Sequence, residues 1–187
     1  MSRVLNPSDQ AGPTAMHLSR LDEQLVCLLR ERPVAALACL DDDGAPALSM
    51  VPFAVDAAPD GAAAALILHV SALAAHTRQM ARDARVSLLV VDQDGAAEMP
   101  QALQRAAIQA TAAFVEPGGE AHARCEALYL ARHPQAELMT QLPDFRFVRL
   151  APTALRHVAG FGAARTVDGE LLAAVLRVAA RFSGATT

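Results

Sequence analysis

Between positions 71 and 78 the chain gathers side chains that could hold an anion: Ser71, His76, Thr77 and Arg78. Ser71 is a favourable helix N-cap, and Ala72 to Arg82 can form a short helix behind it. A helix start offers free backbone N–H groups and the positive end of the dipole. The Ser71 hydroxyl, the His76 imidazole, the Thr77 hydroxyl and the Arg78 guanidinium add donors within a turn or two. Taken alone, the same stretch also reads as an ordinary capped helix with an exposed histidine and arginine.

Other chemistry is thinner. Every positive side chain among the 16 Lys+Arg is arginine, which excludes a lysine Schiff base and a P-loop lysine. His69 and His157 lie in apolar strand-like runs, where a lone histidine is more often structural than a ligand. His122 and His133 belong to a helix and its exit and read as solvated. Arg105 opens a strand, where it could reach a partner's ligand or make a surface ion pair. His69 and His76 have no nearby carboxylate or cysteine at a metal-binding spacing, so no metal is expected. Ser71 and Ser87 lack a nucleophile-elbow context, and no catalytic residue is assigned.

Composition narrows the class further. Hydrophobic residues make up 53% of 187, enough for one domain with a sizeable core. Net charge is −4 with no basic block, which argues against nucleic-acid binding. Cys27, Cys39 and Cys125 form no CxxC pair or disulfide framework and read as small buried apolar residues. A reducing cytoplasm follows as the expected compartment. Residues 1–16 are polar and lack an apolar signal core, and no apolar run nears the ~20 residues needed to span a membrane.

The elements that must position these groups follow from patterning. Leu18, Leu21, Leu25, Leu28 and Leu29 share one helical face, and Pro33 ends that helix. Strands are expected at 34–40, 47–55 and 64–70, joined by turns at 41–44 and 58–61. Pro52 inside the second strand implies an edge or a bulge, because proline donates nothing to a ladder. After the 72–82 helix come strands at 85–91 and 102–116, the latter so alanine-rich that helix competes. A helix over 120–133 precedes strands at 144–152 and 154–160. The Gly160-Phe161-Gly162 turn follows, and helical spacing resumes over 167–182. The order β-β-β-α-β-β-α-β-β, framed by helices, predicts a mainly β fold with flanking helices (α+β), an antiparallel meander or barrel. Residues 1–16 read as a flexible lead, 17–165 as the domain and 166–187 as a C-terminal helix.

Several blocks then carry a resemblance. Ser49-Met50-Val51-Pro52-Phe53, His69-Val70-Ser71, Leu73-Ala74-Ala75-His76-Thr77-Arg78-Gln79 and Arg85-Val86-Ser87-Leu88-Leu89 occur in that order. With 104–116 and 144–164, they resemble the haem-utilisation (HugZ-like) branch of the pyridoxamine 5'-phosphate oxidase-related FMN-binding split barrels, over roughly residues 20–165. Ala75 stands where many relatives carry arginine, and Gln79 where asparagine is usual.

The resemblance implies a split β-barrel that holds FMN at the interface of a homodimer. Its phosphate would be held by Ser71, His76, Thr77 and Arg78. Its ring would lie along Ser49 to Phe53, beside His69 and Val70, with Arg105 reaching toward the partner's flavin. The implied function is a flavin-dependent oxidoreductase acting on a small-molecule substrate. The alternative is a non-catalytic haem- or flavin-binding protein of haem or iron utilisation, with haem the weaker cofactor candidate. Longer relatives add a C-terminal domain bearing a haem-ligating histidine. The last histidine here is His157, so haem degradation is not expected.

Overall fold

The structure is a computed structural model that describes residues 17–57, 63–93 and 95–181. The lead at 1–16 and the turn at 58–61 lie outside the described residues. The chain runs α1 (Arg20–Glu31), β1 (Val34–Leu40), β2 (Pro46–Pro52), β3 (Ala54–Asp56), β4 (Ala65–Ser71), α2 (Ala75–Arg82), β5 (Arg85–Val91), β6 (Arg105–Phe114), α3 (Glu120–Arg132), α4 (Glu137–Thr140), β7 (Phe145–Val158), β8 (Ala164–Val167) and α5 (Gly169–Arg181). The fold is mainly β with flanking helices, as the patterning implied.

One antiparallel sheet of eight strands runs β2-β1-β5-β6-β7-β4-β3, with β8 added along β7. Its two end strands, β2 and β3, are separated in the chain by Phe53 alone. The ends of the path are therefore covalently adjacent, and the sheet must roll until they meet. Phe53 is fully buried at that corner. The sequence reading of one strand over 47–55 misses this break; Pro52, lacking an N–H, stands on its threshold.

β6 settles the contest between helix and strand. It alternates buried Ala106, Ile108, Ala110 and Ala112 with outward residues, and it pairs with β5 on one side and β7 on the other. Two ladders outweigh alanine's helix propensity. The register shifts between Gln109 and Ala110, opposite Pro152 of β7. That bulge lets a proline sit inside a long strand. The expected strands at 144–152 and 154–160 are accordingly one, and β8 is an addition.

Leu25, Leu28 and Leu29 of α1 share one core with Leu172, Val175 and Leu176 of α5 and with inward barrel residues such as Leu37, Leu66 and Ile108. α3 instead covers the other face of β3, β4 and β7 through Cys125 and Tyr129, which meet Ala54, Ile67 and Phe147. Cys39 and Cys125 are buried as expected; Cys27 is exposed. No helix among the described residues is long and apolar enough to cross a membrane.

Two carboxylates are buried, and each is held by arginine. Asp56 is met by Arg124 of α3 at 2.6 Å and Arg149 of β7 at 3.1 Å. Asp22 closes a capping box with Ser19 at the start of α1 and meets Arg165 of β8 at 2.7 Å. Arg165 also lies 3.5 Å from His157 Nδ1, and His157 Nε2 lies 3.1 Å from the Gln104 amide. Arginine only donates, so Nδ1 accepts.

His157 is fully buried, and burial, with Arg165 next in effect, pushes it down to about 4. Its folded pKa thus lies below the unfolded value, so the unfolded state takes up the proton first. The stabilisation is complete above pH ~6.5 and is lost as pH falls toward 4, on the order of 3 kcal/mol. Thermal melts between pH 7 and 4 should fall more steeply for the parent chain than for His157→Gln. Parallel curves would show that this histidine does not titrate on unfolding.

Candidate functional site

α2 is the element around which the sequence-derived site residues gather, and the structure places them unequally. The helix starts at Ala75, with Ala74 as N-cap and no side-chain cap, rather than at Ala72 behind Ser71. Ser71 is held otherwise. Its hydroxyl donates to Asp144 Oδ2 at 2.9 Å and accepts from the Leu73 N–H at 3.2 Å. Thr77 is buried, with its hydroxyl on the Ser71 carbonyl at 2.6 Å. Arg78 folds back onto the Leu73 carbonyl at 2.7 Å. These donors are committed to the chain itself, closing the turn between β4 and α2.

His76 and Arg78 are also separated. At 100° per residue, positions two apart lie on nearly opposite flanks of a helix. His76 turns toward β2, its Nδ1 3.2 Å from Ser49 Oγ, and its carbonyl approaches the Cys39 thiol at 4.0 Å. Arg78 instead lines a cleft of about 320 Å³ with Ala72, Thr77, Ala81, Phe114 and Arg146. That cleft is apolar apart from its two guanidinium groups and one hydroxyl, a lining suited to a flat apolar body bearing carboxylates. Arg146 was not singled out in the sequence, where it is one of many arginines.

β2 divides the remaining residues by face. Val51 and Phe53 point into the core, while Leu48 and Met50 stand outward, 73% and 68% exposed. With Val34, Ala36, Leu89 and Val91 they line a groove of about 410 Å³, of which Ser49 is also part. Ser49 lies between Leu48 and Met50 along the strand, so its side chain turns to the other face, toward the His76 imidazole. Burial lowers the His76 pKa, so the ring is neutral at pH 7. A Ser49 oxygen on Nδ1 fixes one ring nitrogen and leaves Nε2 to serve as a ligand when Nδ1 holds the proton.

The other expected residues lie apart from this pair. Val70 is a core residue. His69 is buried on the α3 side, among Tyr129, Phe145 and Phe147, with ring centroids 4.5–5.5 Å away. Burial pushes it down to about 4. Arg105 donates to the Gln101 and Leu103 carbonyls, both at 3.1 Å. His133, expected in solvent, is 4% exposed, and His122 is half-buried against Phe147. Both corrections share one cause: α3 covers the sheet instead of standing off it. No group of three metal-ligating side chains occurs among the described residues.

A rolled antiparallel sheet with this strand order, carrying its polar pair at the β2–α2 contact, is a split β-barrel. The chain belongs to the pyridoxamine 5'-phosphate oxidase family, whose model matches residues 21–159. Within that family its relatives fall in the haem-utilisation branch. It is 35% identical over 132 residues, 68% of its length, to a non-canonical haem oxygenase of Arabidopsis thaliana chloroplasts, and it spans only 36% of that protein. It is 28% identical over 154 residues to the haem oxygenase HutZ of Vibrio cholerae, covering 81% of this chain and 83% of that one. The crystal structure of HutZ, described as a haem storage protein, superposes with a TM-score of 0.62 at 26% identity, over 72% of this chain and 91% of that one. A haem-binding protein of Mycobacterium smegmatis superposes with a TM-score of 0.72 at 27% identity, over 85% of this chain and 62% of that one.

These findings overturn FMN as the main cofactor, because the relatives are named for haem. In the structure the Ser71 and Thr77 hydroxyls bond within the β4–α2 turn, and His76 and Arg78 face apart. Ser71→Ala should cost about 1 kcal/mol in urea unfolding, since one hydroxyl ties Asp144 to the Leu73 N–H. Unchanged stability would mean that the turn does not depend on it.

Proposed function

We propose that the chain binds haem and serves haem utilisation. The observation that carries this reading is the haem naming of its relatives, above all HutZ, matched over 83% of its length. The residues present fit the group in type. A porphyrin needs apolar faces, an imidazole for its iron and cations for its carboxylates. Val34, Leu48, Met50 and Leu89 offer an apolar wall, and His76 offers a neutral imidazole fixed by Ser49. Arg78 and Arg146 line a separate cleft on the other flank of α2 and are not assigned to this ligand. Bound haem would supply one-electron and dioxygen chemistry at its iron. The chain's own residues hold it, orient the imidazole and exclude water from the apolar wall.

Degradation of haem is a second reading, favoured by the name haem oxygenase on two relatives, while the storage description of HutZ favours binding alone. The expectation against degradation rested on the haem-ligating histidine that longer relatives carry in a C-terminal domain. HutZ, named a haem oxygenase, is matched over 83% of its own length, which supports keeping this reading open to test. Incubation with haem, reductant, air and catalase separates the readings. Loss of the Soret band with a bilin product means degradation, and a stable band means binding.

In a haem titration followed at the Soret band, His76→Ala should weaken binding at least tenfold and Ser49→Ala by a smaller factor, as for a ligand and the group that orients it. Equal affinity of His76→Ala and the parent would remove His76 as the ligand.

We also propose a homodimer through the outer face of β2, β1 and β5. Leu48, Met50, Val34 and Leu89 make that face apolar, and a second copy would cover the open side of the groove. A specific interface needs about 1,000 Å² in total. Sedimentation at micromolar concentration should show a dimer for the parent and a monomer for Met50→Asp. A monomeric parent would refute the assembly.

A further inference from the structure

We infer that Arg132 and His133, at the end of α3, are positioning residues for the ligand groove: they clamp the corner at Phe53 and thereby fix β2, the strand that carries Ser49 and Met50. The ligand in this inference is that of the haem reading above; the clamp itself rests on geometry.

β2 pairs along its length with β1 and stands at the end of the sheet path. An edge strand held by one ladder frays or slips more readily than a central one, and a slip of one residue would exchange its two faces. Its groove residues would then turn inward. What holds its C-terminal end is Phe53, whose N–H continues the β1–β2 register while its carbonyl turns out of the ladder. The Phe53 N–H donates to the Pro33 carbonyl at 3.2 Å. The Phe53 carbonyl accepts from His133 Nε2 at 2.9 Å, in a buried bond. A carbonyl cannot donate, so Nε2 carries the proton. Burial lowers the His133 pKa, and Arg132's charge adds to that against the opposing effect of this bond, so the ring works as a neutral donor.

Arg132 completes the clamp. Its guanidinium carbon lies 4.9 Å from the Phe53 ring centroid. Its Nη2 donates to the Leu29 carbonyl at 2.9 Å and the Arg32 carbonyl at 2.6 Å. Those carbonyls belong to the C-terminal end of α1, where helices leave acceptors unpaired and the dipole favours a cation. Burial pushes Arg132 down to about 10, which still leaves it charged at pH 7. One residue pair thus joins the exit of α1, the closing corner of the barrel and the strand that carries Ser49.

The test uses the full chain, with and without haem. In the haem-free chain, His133→Ala should raise amide hydrogen exchange over residues 47–53 by about tenfold, while residues 105–114 of the doubly paired β6 stay within about twofold. His133→Gln, whose amide nitrogen can reach the same carbonyl, should restore slow exchange. Haem affinity should fall in the alanine variant and recover in the glutamine variant. If His133→Ala does not fold, Arg132→Met must show the same local loosening, because it keeps the stem against Phe53 and removes both carbonyl bonds. A uniform rise across the barrel, or none over 47–53, overturns the clamp. Local loosening in a chain whose parent binds no haem supports the clamp and refutes the haem reading instead.

Discussion

The whole barrel depends on a single residue between two strands. Because Phe53 alone links β2 to β3, and these lie at opposite ends of the strand order, the sheet has no freedom to stay open. Hydrogen-bond pairing sets the order, and chain connectivity forces the curl. A buried aromatic ring at the junction fills the space where the two ends meet. Truncating a buried phenylalanine costs about 3–5 kcal/mol in general, and here the loss falls at the point of closure. Helices α1 and α5 then share the barrel's core, and α3 lies outside against β3, β4 and β7.

Charge inside this small fold is handled entirely by arginine. Asp56 joins β3 to α3 and β7; Asp22 joins α1 to β8. Each pair spans elements distant in sequence, so each carboxylate fixes the relative placement of pieces that the apolar core alone would leave free to slide. Breaking such a pair by removing one partner leaves a buried charge uncompensated, which is costly. A planar guanidinium can meet two acceptors at once, as Arg132 does at the end of α1. Lysine would supply a point charge without that fork.

Much of the fold was legible in the sequence because strand signals repeat locally: alternation in 105–114, turn residues at 41–44 and the apolar face of 20–31. The break at Phe53 was not legible, since nothing local distinguishes a strand with a proline from two strands paired to different neighbours. The site was legible by residue type more than by role. Ser49 and His76 were singled out separately, but their contact crosses 27 residues and depends on how α2 lands on β2. Ser71 looked like a helix cap because a serine precedes a helix-forming stretch; Asp144, 73 residues later, claims its hydroxyl. His133 looked solvated because a helix exit usually is, and only the placement of α3 over the sheet buries it. Arg146 carried no signal at all. The cofactor was misread because the family's motif blocks do not separate flavin binders from haem-named relatives.

The bond between Phe53 and His133 spans 80 residues, and β7, which follows it, supplies partners to β4, β6 and β8. A chain emerging from the ribosome can form the β1–β2 and β5–β6 hairpins early, since their partners are near in sequence. It cannot shut the cylinder until α3 has been made, nor cover the flanks of β4 and β6 until β7 arrives. The last third of the polypeptide therefore governs the topological commitment of the first two. During that interval two strand flanks rich in alanine, leucine and isoleucine stay uncovered, which makes synthesis the stage of greatest exposure to aggregation.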